Sequence, residues 1–539
     1  MQEKPEQKPS SKPKKRIIPL SNVALLLIGA ALVSQVLGFF RTKLVNANFL
    51  SHGADSTGAY FAAFNIPDFF FFTLSAGALG VAFIPILADR MQKGDRKGMW
   101  EIASSLMNLL SIIMLAVAII IFVFAEPLLR HIVAPGLNAS QMDNAVVIMR
   151  FLALNPLLFT VAGILTSVQQ TLGRFFFFAI APLFYNLAII VSIYVFRYTD
   201  FGLKGLGVGA FIGGILQLLV VCFGLIGTRF SWRPKIMWRS SDFKSVIRAL
   251  PARAVDQGMD QVQGIVETRF ASHLSTESIA YYNNALTLQA APTLLIGTAI
   301  STAAFPRLAA RISQGRPDLF RKDYLRILRF MIWVTVPVVI IAFFGRGYLS
   351  RLIFARDSSE IALIFGYLTI AIFFRTIYTI ISRWFYARKD TKTPLYVSVF
   401  TIAFNIVAAA ILANPHSYGI AGLALSASLA AMMEVLVLIT IMIIRDRGLL
   451  NMTFWGGIGR IISVSGFSLL ATYLAVTVIP LTRGDLGLTL AVKLAIIAGV
   501  TFTVHILISG LFGLEEARPV FTWLKKIILR PIRGAFNVQ

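Results

Sequence analysis

Cysteine is nearly absent from this chain. The 539 residues contain one, Cys222, inside an apolar run, which excludes a disulfide framework and a cysteine metal cluster. Histidine is scarce as well, five residues scattered along the sequence. Walker A, HExxH and GxSxG patterns are missing. The chain is therefore expected not to be an enzyme and to need no cofactor. Energy would come from Na+ or H+ coupling or from the membrane potential. Acidic residues form the third scarcity: 25 Asp and Glu against 50 Lys and Arg, a net charge of +25.

In a soluble protein that excess would point to nucleic acid. Here 14% of residues are charged and 57% hydrophobic, mean hydropathy is +0.75, and the cations sit mostly in short loops. Topology and attraction to anionic phospholipid account for them, so no nucleic-acid partner is expected. Apolar runs near the bilayer-crossing length recur, without the alternation of barrel strands.

The predicted fold class is an all-α polytopic membrane protein with about 14 transmembrane helices: 22–48, 58–87, 102–125, 145–168, 176–196, 204–227, 249–272, 278–305, 328–349, 361–386, 394–413, 419–444, 458–480 and 488–513. Loops after even-numbered spans are basic (Arg90, Lys93, Arg96, Lys97; Arg388, Lys389, Lys392; Arg445, Arg447), which places both termini on the cytoplasmic side. Residues 1–20 read as a disordered basic tail before a retained first helix, not a cleaved signal. Residues 516–539 read as a second basic tail.

The seventh span is the least apolar. Arg253, Asp256, Asp260, Gln263 and Glu267 fall at i, i+3, i+7, i+10 and i+14, one stripe of a helix. A charge at the bilayer centre costs roughly 2.5–3.5 kcal/mol, so four facing lipid would cost on the order of 10 kcal/mol. The stripe must face water or protein. A surface-lying amphipathic helix is the alternative, but the basic segments before the stripe (Arg229, Arg233, Lys235, Arg239) and after the next span (Arg307, Arg311, Arg316) require two crossings between them.

An internal repeat orders the first twelve spans. AFIPILADRMQKG around Pro85 resembles AAFPRLAARISQG around Pro306, and GLKGLGVGA from Gly202 resembles GIAGLALSA from Gly419. Both offsets are roughly 220 residues. Each element follows an even number of helices, so the copies share orientation. Two parallel six-helix lobes, 21–228 and 229–447, are expected around a central cavity, with two extra helices at 448–515.

Other ionisable residues lie in or beside apolar spans. Arg41 and Lys43 continue the first span, as surface anchors or as cavity cations suited to a phosphate-bearing substrate. Asp68 follows Pro67 as a cap or loop residue. Glu434 lies deep in the twelfth span, where a carboxylate must be protonated, paired or part of a cation site. Arg150 and Arg375 are expected to snorkel to an interface. Pro67, Pro85, Pro292 and Pro306 mark bends.

At these residues the chain resembles the MurJ (MviN) lipid II flippases of the MOP exporter superfamily, as a divergent member. The resemblance runs from the first helix over nearly the whole chain and is carried by VLGFFR (Val36–Arg41), AFNIPDFFF (Ala63–Phe71), GALGVAFIPILAD (Gly77–Asp89), DQVQGIVETRFASHL (Asp260–Leu274), SIAYYNNAL (Ser278–Leu286), GTAISTAAFPRLAAR (Gly297–Arg311) and FYARKDTKTP (Phe385–Pro394). Against the family patterns RVLGFxRD, DAFxxAFxxPNxxRRxxxEGA and YYADRL, Gln35 replaces an Arg, Thr42 and Gly58 replace Asp, and Phe71–Phe72 replace an Arg pair. Ala76 replaces a Glu, and Asn284 and Ala285 replace Asp and Arg. Arg41 is retained.

The resemblance implies fourteen helices and export of a polyprenyl-diphosphate-linked peptidoglycan precursor by alternating access. The headgroup would sit in a cavity between the lobes and the lipid tail in a groove involving the last two helices. Arg41, Lys43 and Arg253 would hold diphosphate; Asp256 and Asp260, with Gln35, Asn283 and Asn284, complete the expected substrate site. Glu267 matches a family cation position, with Asn405 as its partner and Glu434 as a further candidate; no metal site beyond Na+ is expected. The expected setting is a bacterial cytoplasmic membrane, with a monomeric protein and cell-wall synthesis proteins as partners. Two alternatives stay open: another MOP-type exporter, for a different lipid-linked saccharide or a cation-coupled small molecule, and a non-transporting membrane scaffold.

Overall fold

The computed structural model describes residues 20–49, 53, 56–76, 83–275, 277–354, 358–518 and 520–522, and among these there is no strand. The first half runs α1 (Leu20–Asn48), α2 (Thr57–Phe71), α3 (Ile84–Gln92), α4 (Arg96–Val123), α5 (Ala125–Leu128), α6 (Ala139–Leu152), α7 (Asn155–Thr171), α8 (Phe176–Phe196) and α9 (Lys204–Phe223). The second runs α10 (Ser241–Leu274), α11 (Ser278–Pro292), α12 (Ala299–Ser313), α13 (Pro317–Phe344), α14 (Arg346–Ile353), α15 (Ser358–Ala387), α16 (Lys392–Leu412) and α17 (Ile420–Arg445). Two more follow, α18 (Met452–Val478) and α19 (Gly487–Leu511). Of the expected tails, 1–20 and 516–539, residues 1–19 and 523–539 lie outside the described residues, while Leu20 starts α1 and Glu516 is buried and pairs with Arg329 of α13 at 2.6 Å.

Among the described residues, eleven helices or end-to-end helix pairs are long and apolar enough to cross a membrane. The other three expected spans coincide with α1, with α2 and α3 together, and with α10. At 34 residues, α10 is about 51 Å long by the helical rise. Local signals set the ends: Asp95 accepts from the Gly98 amide at 2.8 Å ahead of α4, and Asn138 and Gln141 form a reciprocal capping box at α6.

The repeat reappears in the packing. In the first half α1 packs on α8, α8 on α9, α2 on α6, α4 on α7, and α3 on α4 and α7. In the second, α10 packs on α16, α16 on α17, α11 on α15, α13 on α15, and α12 on α13 and α15. Even the irregularities match. A π-helical turn, Phe72–Ala76, follows Pro67 in α2, and another, Thr293–Thr298, follows Pro292 in α11. Pro85 starts α3 and Pro306 lies within α12. The GLKGLGVGA motif has a packing purpose: a Cβ at Gly209 would meet Ser192 Oγ at 2.1 Å, so α9 lies almost against α8.

The two last helices pack on each other and on α13 through buried polar contacts. His505 Nδ1 lies 2.8 Å from Ser468 Oγ, Thr472 Oγ1 lies 2.8 Å from Thr501 Oγ1, and Trp333 Nε1 donates to Ser509 Oγ at 2.8 Å. Their outer faces are apolar and exposed, with Ile462, Tyr473, Val478, Val492 and Leu511 pointing away from the bundle. A bilayer covers such a face.

Candidate functional site

Helix α10 stands between the halves. It packs on α2 and the π turn after it on one side, and on α11, α16 and α17 on the other. The approach to the first half is close at Gly258, where a Cβ would lie 2.9 Å from Thr73 Oγ1. Asp260, Gln263 and Glu267 of the stripe therefore have protein and a cavity beside them. That cavity, about 560 Å3, is lined by Gln35 of α1, by Asp260, Gln263, Gly264 and Glu267 of α10, by Leu286, Gln289 and Ala290 of α11, by Thr293, Leu294 and Thr298 beyond it, and by Arg375 of α15.

Of the expected site residues, the structure brings Gln35, Asp260 and Glu267 to this cavity. The Arg253 and Asp256 side chains lie outside the described residues. Arg375 was expected to snorkel to an interface; it lines the cavity instead, because its part of α15 faces α10 and α11 rather than the rim of the bundle. A lone cation in mid-span was the signal for it. Gln289, Thr293 and Thr298 carried no such signal, since uncharged side chains on an apolar helix gain meaning only from which face turns inward.

Glu267 is buried. Its Oε1 accepts from Gln263 Nε2 at 2.7 Å and from Asn405 Nδ2 of α16 at 2.9 Å. The Tyr282 hydroxyl is buried against the same carboxylate, and Asn405 Oδ1 is buried with no hydrogen-bond partner. Three oxygen-bearing side chains thus converge, with Asn405 Oδ1 and the Tyr282 hydroxyl both without a hydrogen-bond partner, a donor set suited to a hard cation. Glu434 accepts from Ser398 Oγ at 2.6 Å, with Arg375 and Asp260 within electrostatic range. In the first half, Arg41 lies within electrostatic range of Asp68, Tyr60 and Tyr185. It does not line the cavity, but neighbours it through its helix.

Lys43 and Asn284 occupy a different place: the seam between the halves at the end of the bundle where α1 stops. Lys43 Nζ donates to the Leu352 carbonyl at 2.9 Å. Asn46 and Asn284 exchange hydrogen bonds of 3.1 and 2.8 Å. Thr268 donates to Asn65 at 3.3 Å, the Gly136 amide donates to Ser272 Oγ at 3.3 Å, and Arg269 donates to the carbonyls of His131 and Ile132. Asn283, one residue earlier, donates to the Ile279 carbonyl of its own helix at 3.0 Å. At the opposite end, among the described residues, no hydrogen bond or ion pair joins α3 or α4 to α12 or α13. What ties the halves at that end runs through α10 and the linker before it: Arg90 of α3 pairs with Asp242 at 2.7 Å, and Arg233 with Glu101 of α4 at 2.7 Å.

The architecture has counterparts among known proteins. A solved lipid II flippase MurJ in an inward closed conformation superposes with a TM-score of 0.74 at 22% identity, covering 90% of this chain and 98% of that one. An inward-facing multidrug resistance MATE family transporter of the MOP superfamily gives 0.60 at 17% identity, covering 80% and 95%. Probable lipid II flippases MurJ of Borreliella burgdorferi and Bdellovibrio bacteriovorus are 24% and 25% identical to the chain; each match covers 77% of the chain, and 81% and 80% of the relatives respectively. The family model described as MurJ, lipid II flippase MurJ, matches residues 47–496. This multi-pass membrane protein belongs to the lipid II flippase MurJ family.

Proposed function

We propose that the protein exports lipid II, a polyprenyl-diphosphate-linked peptidoglycan precursor, across the cytoplasmic membrane by alternating access. The observation that carries the proposal is the cavity between two repeated halves, closed at one end by hydrogen bonds across the seam, while at the other no hydrogen bond or ion pair among the described residues joins α3 or α4 to α12 or α13. Basic loops put both termini in the cytoplasm, so the sealed end faces out and this state opens inward. Headgroup sugars have Asp260, Gln263 and Gln289 for their hydroxyls, and the diphosphate has Arg375 and, toward α1, Arg41. Closing the inner end while parting Asn46 from Asn284 would carry the headgroup across, with the lipid tail left in the bilayer.

Glu267, Tyr282 and Asn405 are assigned to a coupling cation, Na+ being the size and hardness their oxygens fit. Bound there, the ion would supply a fixed charge that ties α10 to α16. The chain's own residues then bias which way α10 leans. Glu434 and Ser398 form the second acidic pair within reach of the same helices.

Complementation tests the reading. In a bacterium whose own lipid II flippase can be depleted, this gene should restore growth, and Arg375→Ala or Arg41→Ala should abolish the rescue at equal membrane abundance. A second reading, cation-coupled export of a small cationic molecule, is favoured by the two carboxylates, Asp260 and Glu267, that line the cavity against one Arg. Failure to rescue together with cation-dependent extrusion of an organic cation would favour it.

A further inference from the structure

A second cavity lies far from the first, where the chain leaves α9 and travels to α10. It is about 270 Å3 and is lined by Arg96 and Lys97 from the first turn of α4, by Arg229 and Arg233 of the linker, and by the hydroxyls of Thr228 and Ser231, with Trp100 as its wall. Four cations and no carboxylate line it. Arg233 is paired with Glu101 at 2.7 Å, and Lys97 has Asp95 in range. The Arg96 and Arg229 side chains form no hydrogen bond or ion pair with any described residue.

The walls are built, not loose. Phe230 meets Trp100 edge-on at 5.3 Å. Thr228 Oγ1 donates to the Leu225 carbonyl at 2.7 Å, and Arg174 donates to the Ile226 carbonyl at 2.6 Å. Asn108 of α4 donates to the Arg233 carbonyl at 2.7 Å. Between these fixed points Arg229 is held at φ 59°, a left-handed conformation uncommon outside glycine. Like charges gathered in one pocket repel each other unless an anion joins them.

Another cavity, about 680 Å3, offers a contrast. Its cations Arg321, Lys322, Arg326 and Arg329 are matched by Asp318, Glu515 and Glu516, so it has no comparable unbalanced charge. The linker cavity also has a membrane address. Trp232 and Trp238 on the same linker are 54% and 58% exposed, and exposed tryptophans beside arginines mark the bilayer interface.

We infer that the linker cavity binds the phosphate of an anionic phospholipid from the adjoining leaflet, and that the bound lipid pins the inter-half linker to α4. The pin matters because the linker runs directly into α10, whose Asp242 is held by Arg90 of α3 at 2.7 Å. Charge-assisted bonds from Arg96, Lys97 and Arg229 to the phosphate oxygens would fix the segment that α10 must swing from.

The test uses the full-length protein purified in detergent, with thermal unfolding and native mass spectrometry as readouts. Phosphatidylglycerol is expected to raise the Tm by a few degrees and to appear as a retained adduct, less so as salt rises. Phosphatidylcholine and inorganic phosphate are expected to do neither. The Arg96→Gln/Lys97→Gln/Arg229→Gln variant should keep its lipid-free Tm and lose the shift, while Lys322→Gln/Arg326→Gln keeps it. An undiminished shift in the triple variant, or equal loss in the control, overturns the site. So does an equal effect of inorganic phosphate, which would mark a soluble-anion site. If the triple change lowers the lipid-free Tm, Arg229→Gln alone decides: a weakened shift supports the site and an unchanged one overturns it.

Discussion

Asn46 of α1 and Asn284 of α11, 238 positions apart, face each other across the seam and exchange two side-chain hydrogen bonds, at 3.1 and 2.8 Å. Each amide is donor and acceptor at once, so the pair joins the halves without a net charge to desolvate. Asn284 stands where the family pattern has Asp, which could not donate to Asn46.

Asn284→Ala should therefore loosen the sealed end. Leaving the Asn46 amide short of its partner costs about 1–3 kcal/mol, enough to shift a two-state balance by about tenfold. In a Cys222→Ser background, spin labels at Ser140→Cys and His416→Cys on opposite halves should report a longer, broader distance distribution. An unchanged distribution would refute a gating role for the pair.

Gly136→Ala should act at the same end by steric force. A Cβ there would fall 1.8 Å from the Ser272 carbonyl oxygen, which belongs to α10 backbone and cannot step aside. The same pair of labels should part, and lost rescue of growth should accompany normal membrane abundance.

Gly264→Leu tests the cavity itself. Nothing lies within 4 Å of a Cβ at Gly264, and the residue lines the cavity, so the added side chain fills open space without straining the fold. Thermal stability should be unchanged while headgroup binding and rescue fall by tenfold or more. Full activity would place the substrate path elsewhere.

Glu267→Gln keeps the shape of the site but removes its charge. Stabilisation by Na+ in the wild-type protein, read as a rise in Tm over choline chloride of equal ionic strength, should vanish in this variant. Persistence of the rise would remove Glu267 from the cation site.

Asp390, in the loop between α15 and α16, gives a pH signature. Burial opposes its charge, but the Thr393 hydroxyl and amide and the Arg445 guanidinium outweigh it and hold the carboxyl at about 2. A carboxyl lowered in the folded state stabilises above its unfolded value near 4, and that contribution fades as pH falls toward about 2. Asp390→Asn should unfold at lower temperature than wild type at pH 7, with the two converging as pH drops from 5 toward 2. A constant difference across that range would discount the ion pair.

Sequence alone determined the all-helical membrane fold, because bilayer-length apolar runs have few other outcomes in hydrocarbon. It also determined that the α10 stripe must turn inward, since charges cannot face lipid cheaply, and the repeat that recurs in the packing of the halves was legible in paired motifs. Which polar residues share the cavity is set by the packing of the helices. Arg375, Gln289 and Thr293 reach it because α11 bends through a π turn and α15 faces α10, relations no local pattern encodes. The placing of Lys43 and Asn284 in the seam was likewise a matter of the third dimension. Their partners, Leu352 and Asn46, lie hundreds of positions away in sequence, and only packing of the halves brings them within hydrogen-bond range.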